Sequence, residues 1–119
     1  MEATVILSKC PKQKLMYGIR TQKMNDGDWW RTWAFPIDER RAKKEGYDIT
    51  RIQGSLYHTE GYLGCPYCGT KSFVQCNKCQ KISCWNGEIR LNCEWCGNDM
   101  NNIVSTTEKV TFNLSGGDI

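Results

Sequence analysis

The sequence predicts a small, mainly β domain of the α+β type, in which an antiparallel β-hairpin sheet with one short helix precedes a cysteine-rich β subdomain. Three observations support this prediction. Short β-branched and aromatic runs separated by turn residues fill the first half, one segment has helix start and stop signals, and seven of the eight cysteines lie between residues 65 and 96. We place a boundary between subdomains 1–59 and 60–119, and we expect them to pack as one compact unit.

Three strands are predicted at the start of the chain. Thr4–Leu7 is a short β-branched and apolar run. Leu15–Lys23 and Asp28–Phe35 lie on either side of the turn residues 25–27, which read Asn-Asp-Gly. The second and third strands should therefore form a β-hairpin.

The predicted third strand carries three tryptophans. Because side chains alternate between the two faces of a strand, Trp29 and Trp33 share one face and Trp30 lies on the other. Large aromatic side chains dominate the cores of small sheets. We therefore expect Trp29 and Trp33 to be buried and Trp30 to be the better candidate for an exposed contact.

One helix is predicted, over residues 38–45. Asp38 is a suitable N-cap, the acidic residues come early and the basic residues late, and Gly46 fits the position after the last turn. A strand-like stretch through Ile49, Ile52 and Leu56 then leads to His58 and Tyr62. A final strand is predicted over Lys109–Leu114, where apolar and polar residues alternate.

Composition narrows the possible function classes. Residues 1–59 hold 11 Lys and Arg against 7 Asp and Glu, and residues 60–119 hold 5 against 6, so the basic excess is small and lies before the cysteine-rich part. There is no continuous basic run of the kind that follows a phosphate backbone. No apolar run approaches 18 residues, so we expect no membrane span. The chain opens without the features of a secretory signal, and we expect a reducing compartment, the cytoplasm.

The cysteines of the second half form three Cys-x-x-Cys pairs and one single residue. The pairs are Cys65/Cys68, Cys76/Cys79 and Cys93/Cys96, and the single residue is Cys84. Such a pair presents two thiolates at the spacing of one tetrahedral Zn²⁺, which takes four nitrogen or sulfur ligands. A disulfide framework needs an oxidising compartment, a thioredoxin-type dithiol is a single pair, and an iron–sulfur cluster suits tight turns on short strands less well. We therefore expect zinc in a zinc-ribbon-like subdomain.

The order of the elements predicts how the cysteines group. Short strands are expected at Ser72–Gln75 and Lys81–Trp85, and a turn at Asn86-Gly87 should lead into a return strand at Ile89–Asn92. This hairpin would unite the second and third pairs as one Cys₄ site. In the rival arrangement, the first and third pairs form an ordinary zinc ribbon and the second pair joins Cys84.

The favoured grouping leaves Cys65, Cys68 and Cys84 as three ligands of a second site. Cys10, which stands in the sequence Lys-Cys-Pro, is the preferred fourth ligand. His58, the only histidine, is the alternative, and a water molecule or the absence of a second site is the remaining possibility. We expect two zinc ions.

Part of the sequence resembles a known family. The run RTWAFPIDERRAKKEGYD, then GSLY, and then GCPYCG…VQCNKC…SCWNG…CEWCG resembles the TerY-C metal-binding domain, and the resemblance covers Val5 to Gly97. That family sits C-terminal to a von Willebrand A-type (VWA) domain in bacterial tellurite-resistance and stress-response systems. The resemblance implies a cytoplasmic metal-binding module beside VWA-type, kinase-like and phosphatase-like partners, in the same chain or in trans, and no catalytic residue. The chain itself lacks the Asp-x-Ser-x-Ser motif of VWA domains.

Three functions follow from these observations. We favour a structural zinc module that mediates protein–protein contacts, because four sulfur ligands leave no open position for a substrate. A nucleic-acid-binding zinc ribbon is the alternative, but two Cys₄ zinc sites would change the formal net charge from +3 to −1. An enzyme with an incomplete zinc site of Cys65, Cys68, Cys84 and water is disfavoured: the only histidine stands in Tyr-His-Thr-Glu-Gly, where Glu60 could act as a base, but the chain indicates no small-molecule substrate. The nucleic-acid hypothesis would use Trp30, Lys43, Lys44 and Arg51.

Overall fold

Nine strands and one helix make up the part of the chain that the structure describes. The structure is a computed structural model that describes residues 2–47, 51–100 and 111–115, and for residues 51–54 and 111–115 it describes the backbone alone. The elements are β1 (Ala3–Cys10), β2 (Leu15–Lys23), β3 (Trp29–Pro36), α1 (Glu39–Lys44), β4 (Arg51–His58), β5 (Phe73–Gln75), β6 (Ile82–Cys84), β7 (Leu91–Asn92), β8 (Asp99–Met100) and β9 (Thr111–Ser115). The prediction of a mainly β domain with one short helix is confirmed.

Seven strands form one sheet, in the order β5-β6-β1-β2-β3-β4-β9. The hairpin of β2 and β3 is antiparallel, as predicted. However, β1 pairs with β6 and β3 pairs with β4 in parallel, so the sheet is mixed. Strands β7 and β8 form a separate antiparallel pair. The large sheet therefore contains strands from both sides of the predicted boundary at residue 59.

The sheet separates two apolar clusters. Successive side chains of β1 face opposite sides of the sheet. Ile6 therefore lies in the larger cluster and Leu7 in the smaller one. The smaller cluster contains Ala42 of α1, so the helix packs on that face. The larger cluster includes Ile6, Tyr17, Ile19, Trp29, Leu56, Tyr62 and Ile82 together with Cys10, Cys65 and Cys84. Three of the predicted metal ligands thus belong to the main core.

Helix α1 begins as predicted from the sequence. The carboxylate of Asp38 accepts a hydrogen bond from the backbone N–H of Arg41 at 2.7 Å, which is the N-cap interaction. The helix spans Glu39–Lys44, within the predicted range 38–45. Gly46 follows with a φ of +79°, the left-handed conformation common after a helix.

A β-bulge interrupts the pairing of β2 with β3. Arg20 pairs with Trp33, and the next residue of β2, Thr21, pairs with Arg31. Thr32 is therefore an extra residue in β3, opposite no residue of β2. Such an insertion shifts the alternation of side chains between the two faces of a strand.

The bulge overturns the prediction for one tryptophan. Trp29 is buried, as predicted, but Trp33 lies beyond the bulge and is 59% exposed. The prediction of Trp33 in the core was wrong, because period-two alternation holds only in an uninterrupted strand. Trp30 is half-buried, and its ring lies 4.9 Å from that of Tyr57 between centroids.

The predicted hairpin around Asn86-Gly87 was also wrong. Strand β6 pairs with β5 on one side and with β1 on the other, so both of its edges are occupied. Strand β7 pairs with β8 instead. The turn residues are held locally, since the indole N–H of Trp85 donates to the backbone oxygen of Glu88 at 2.7 Å.

The last strand agrees with the sequence over the residues that the structure describes. Strand β9 (Thr111–Ser115) pairs antiparallel with β4. Residues 109 and 110 of the predicted last strand lie outside the described residues. The same holds for residues 49 and 50, at the start of the predicted strand-like stretch. Among the described residues, no helix is long and apolar enough to cross a membrane.

Candidate metal centres

The three Cys-x-x-Cys pairs fold into the same tight turn, which we call a knuckle. In each knuckle the carbonyl of the first cysteine accepts a hydrogen bond at 2.9 Å from the backbone N–H four positions later. The N–H two positions after the first cysteine lies 3.4 Å from that cysteine's sulfur. The residue that closes the turn has a positive φ, which favours glycine and explains two of the three choices. The closing residues are Gly69 (+79°), Gln80 (+65°) and Gly97 (+78°).

The chain makes a related turn at Cys10. The backbone N–H of Lys14 donates to the carbonyl of Cys10 at 2.8 Å, and Lys14 has a φ of +59°. Cys10 therefore occupies the position of a first cysteine, while Gln13 stands where a knuckle has its second cysteine. The turn joins β1 to β2 and presents one sulfur.

Two groups of four cysteines lie close enough to hold a metal ion among the described residues. Within each group, the sulfur atoms all lie within 4.8 Å of one another. Site 1 comprises Cys10, Cys65, Cys68 and Cys84, and site 2 comprises Cys76, Cys79, Cys93 and Cys96. This is the grouping that the sequence analysis favoured over the zinc-ribbon pairing.

Site 1 is assembled by the large sheet. Cys10 ends β1 and Cys84 ends β6, and these two strands pair in parallel, so their ends lie side by side. The first knuckle packs against these ends, with the sulfur of Cys68 3.5 Å from that of Cys84. Cys10, Cys65 and Cys84 are buried, and Cys68 is half-buried.

Site 2 is assembled by two small hairpins. The second knuckle joins β5 to β6, and the third joins β7 to β8. Sulfur atoms face each other across the two knuckles, at 3.7 Å for Cys76 and Cys96 and 3.6 Å for Cys79 and Cys93. Site 2 thus brings together the four ligands that were predicted for it. However, the third knuckle is positioned by β7 and β8 and not by the predicted hairpin.

The sulfur separations fit one ion in each site. With Zn–S bonds of about 2.3 Å, the sulfurs of a regular tetrahedron lie about 3.8 Å apart. The shortest separations of 3.5 to 3.7 Å agree with that geometry. A cluster with bridging sulfide would need more room between the thiolates.

His58 belongs to neither group. It ends β4, where its Nδ1 lies 3.1 Å from the backbone oxygen of Thr59 and its ring lies 6.1 Å from that of Tyr62. The structure therefore places Cys10, and not His58, beside the other three cysteines of site 1.

The thiols of both sites have unequal acidities. Burial raises the pKa of four thiols, and for Cys79 the pKa reaches about 12. The others with raised pKa values are Cys65, Cys84 and Cys93. Burial also acts on Cys68 and Cys76, but hydrogen bonds to their sulfurs outweigh it and lower the pKa of each to about 7. Without a cation, each group therefore keeps protons that a metal ion would displace.

Two asparagines contact the sites although the sequence analysis gave neither of them a role there. The amide of Asn86 donates to the sulfur of Cys68, and that of Asn98 donates to the sulfur of Cys76, both at 3.7 Å. Each asparagine stands two residues after a cysteine of the same site, Cys84 and Cys96. This Cys-x-Asn repeat is the sequence signal that would have found them.

One arginine is buried in the large sheet. Arg31 is buried in the sheet, where it donates to the backbone oxygens of Tyr57 at 3.1 Å and Lys71 at 2.7 Å. Its guanidinium lies 5.1 Å from the ring of Tyr62, which shares a cluster with Cys65. Arg31 therefore ties β3 to β4 and to the segment that follows the first knuckle.

Near site 2, the indole of Trp95 is enclosed by two lysines. The ammonium groups of Lys9 and Lys81 lie 4.4 and 4.6 Å from its centroid, and its N–H donates to the backbone oxygen of Ile82 at 2.7 Å. Because Trp95 stands inside the third knuckle, these contacts attach that knuckle to the large sheet.

Comparisons of the chain with protein families, with curated proteins and with solved structures gave no match. The resemblance to the TerY-C domain therefore stays a hypothesis, and the function is argued from the two cysteine groups.

Proposed function

We propose that the chain is a structural zinc module with two Cys₄ sites, and that its outer surface binds a protein partner. One observation carries this proposal: all eight cysteines fall into two groups of four, and within each group the sulfurs lie within 4.8 Å of one another. Four thiolates complete the coordination of Zn²⁺ and leave no position for water or substrate. The sites therefore act by holding the fold together.

The predicted energetic role follows from where the sites lie. A structural zinc ion contributes about 10–16 kcal/mol of apparent binding free energy, as much as the whole stability of a small domain. Site 1 connects β1, β6 and the first knuckle, and site 2 connects two hairpins with strands of two or three residues. Such short strands have little cross-strand pairing of their own, so metal binding would supply their stability.

A count of bound metal tests the metal sites. Native mass spectrometry of the full chain, expressed without added metal, should show two zinc ions. Cys10→Ser should lose or weaken one of them, while the matched change His58→Ala should keep both. Two zinc ions in the Cys10 variant and one in the His58 variant would contradict the assignment of site 1.

For the partner, we propose a VWA-type domain in a bacterial tellurite-resistance or stress-response system of the cytoplasm, together with kinase-like and phosphatase-like proteins. The resemblance to the TerY-C domain supports this proposal. The surface also offers a suitable contact, since Trp33 is 59% exposed and tryptophan is enriched at the centres of protein interfaces.

The partner proposal is tested by binding of a purified VWA-type domain to the zinc-loaded chain. Trp33→Ala should weaken binding at least about tenfold, as loss of an interface anchor does, without changing the zinc count. Ile89→Ala, which truncates another exposed apolar side chain away from the bulge, is the control and should leave binding near the wild-type value. Equal binding by all three proteins would contradict the role of Trp33.

A nucleic-acid-binding zinc ribbon is the second candidate. One observation favours it: exposed Trp33 pairs across the strands with exposed Arg20, so a base-stacking ring and a cation lie together. Binding to single-stranded RNA or DNA that falls steeply with salt would support this function over the first. Salt-independent or absent binding would exclude it.

A further inference from the structure

The two sites differ in how far their cysteine residues are exposed to solvent. In site 1, Cys10 and Cys84 have no exposed surface, and Cys65 is buried. In site 2, Cys96 is exposed and Cys79 is half-buried. A reagent dissolved in water therefore meets a ligand of site 2 first.

The surroundings reinforce this difference. Site 1 shares its cluster with the large aromatic side chains of Tyr17 and Tyr62. Site 2 is packed by a smaller cluster of Val74, Leu91 and Met100, with Trp95 at its edge. The third knuckle is carried by β7 and β8, which have two residues each and lie outside the large sheet. Opening site 2 therefore disturbs fewer strand pairs than opening site 1.

We propose that site 2 is a peroxide-sensitive zinc centre, in which Cys96 is oxidised and forms a disulfide with Cys76. The two sulfurs lie 3.7 Å apart, on different knuckles, so an S–S bond of about 2.0 Å needs only a small approach. The inference rests on the proposed function, because it requires zinc in both sites.

The reaction balances with hydrogen peroxide as the oxidant. The exposed thiolate of Cys96 attacks one peroxide oxygen and the O–O bond breaks, giving a sulfenic acid and, after protonation, one water molecule. The sulfur of Cys76 then displaces the hydroxyl group as a second water molecule, and the S–S bond forms. Two thiolates lose two electrons and peroxide gains them, with two protons taken from solvent. The disulfide no longer offers two thiolate ligands, so Zn²⁺ leaves the remaining two.

The two asparagines support Cys96, rather than Cys68, as the thiolate that peroxide oxidises first. Asn98 donates to the sulfur of Cys76, and Asn86 donates to that of Cys68, the least buried sulfur ligand of site 1. A hydrogen bond to a thiolate stabilises its charge and lowers its nucleophilicity. Cys68 is thus both less accessible than Cys96 and held by an amide donor.

The test treats the full zinc-loaded chain with hydrogen peroxide and follows zinc by native mass spectrometry and disulfides by peptide mapping. We expect one zinc ion to leave at least about tenfold faster than the other, with a Cys76–Cys96 disulfide in the one-zinc species. A thiol reductant with added zinc should restore two ions.

Matched variants separate the sites. Cys96→His keeps a zinc ligand but removes the reactive sulfur, so fast release should disappear. Cys68→His, the same change at the second cysteine of the first knuckle, should leave fast release intact. Two zinc ions lost at equal rates, or a first disulfide within site 1, would overturn this inference alone. A wild-type chain with fewer than two zinc ions before treatment would instead contradict the proposed function.

Discussion

Site 1 and site 2 share the same knuckle turn, but different parts of the fold hold the two sites in place. In site 1 the ligands Cys10 and Cys84 come from paired strands of the main sheet and lie in its core. In site 2 the turns of two short hairpins meet, and one cysteine is exposed. The comparison indicates that the four sulfur ligands determine the affinity for the metal. The surrounding strands determine how much of the fold is lost when the metal leaves.

The largest difference is expected when one buried ligand of each site is removed. Cys84→Ser should lose the zinc of site 1 and lower the free energy of unfolding by on the order of 5 kcal/mol, because the core loses a crosslink between β1 and β6. Cys93→Ser should lose one zinc and melt mainly β7 and β8. Urea unfolding and amide hydrogen exchange of β1 and β2 measure this difference. If the two variants lost hydrogen-exchange protection in β1 and β2 to the same extent, the proposed difference between the sites would be contradicted.

A second expected difference is between a buried guanidinium of the large sheet and an exposed one. Arg31→Ala leaves the backbone oxygens of Tyr57 and Lys71 without their donor, so the free energy of unfolding should fall by about 3 kcal/mol. Arg20→Ala is the control, because Arg20 is exposed on the neighbouring strand and its loss should cost less than about 0.5 kcal/mol. Thermal unfolding of the zinc-loaded proteins measures both changes, and similar values for the two would contradict a role for burial.

Lowering the pH should weaken zinc binding at both sites. Each site has two thiols with raised pKa values, Cys65 and Cys84 in site 1 and Cys79 and Cys93 in site 2, so both are protonated in the metal-free chain near neutral pH. Zinc must displace these protons, so above pH 7 the affinity should fall at least about a hundredfold for each pH unit of acidification. Below pH 7 the slope should steepen, because one more thiol in each site, with a pKa of about 7, also becomes protonated.

Titration with a competing chelator at several pH values gives these slopes, and calorimetry in buffers of different ionisation enthalpy counts the protons released. Release of fewer than two protons per ion at pH 7 would contradict the raised pKa values.

The smallest expected effect tests the equivalence of the knuckle turns. Gly69→Ala and Gly97→Ala introduce a Cβ at φ angles of +79° and +78°, with no atom within 4 Å of the new carbon. Only backbone strain changes, so each variant should lose about 1 kcal/mol, equivalent to about fivefold in the affinity of its own site. Competition with a chelator measures both affinities. A difference between the two variants much larger than twofold would show that the turns are not equivalent.

The sequence predicted the parts of the molecule that depend on local spacing. The knuckles, the N-cap at Asp38 and the strands of the first hairpin follow from residues within a few positions of one another. The cysteine grouping was also favoured correctly, although by way of a hairpin at Asn86-Gly87 that does not form. Site 2 forms instead where the turn between β5 and β6 meets the turn between β7 and β8, and such a contact between distant turns leaves no local signature.

Other features depended on contacts that spacing does not encode. The bulge at Thr32 moved Trp33 to the surface, since a single extra residue reverses which face a side chain takes. Arg31 shares a face with Trp29 in the alternation, but its burial rests on the backbone oxygens of Tyr57 and Lys71, distant in sequence. The resemblance to the TerY-C domain, and the partners that it implies, stay predictions.

X-ray absorption at the zinc edge tests the central claim most directly, because it reads the ligands of both ions at once. The account predicts two zinc ions per chain, each with four sulfur neighbours at about 2.3 Å. Cys10→Ser should reduce the metal content or introduce an oxygen neighbour, and His58→Ala should leave the spectrum unchanged. An average shell with three sulfurs and one nitrogen or oxygen in the wild-type chain would contradict two closed Cys₄ sites.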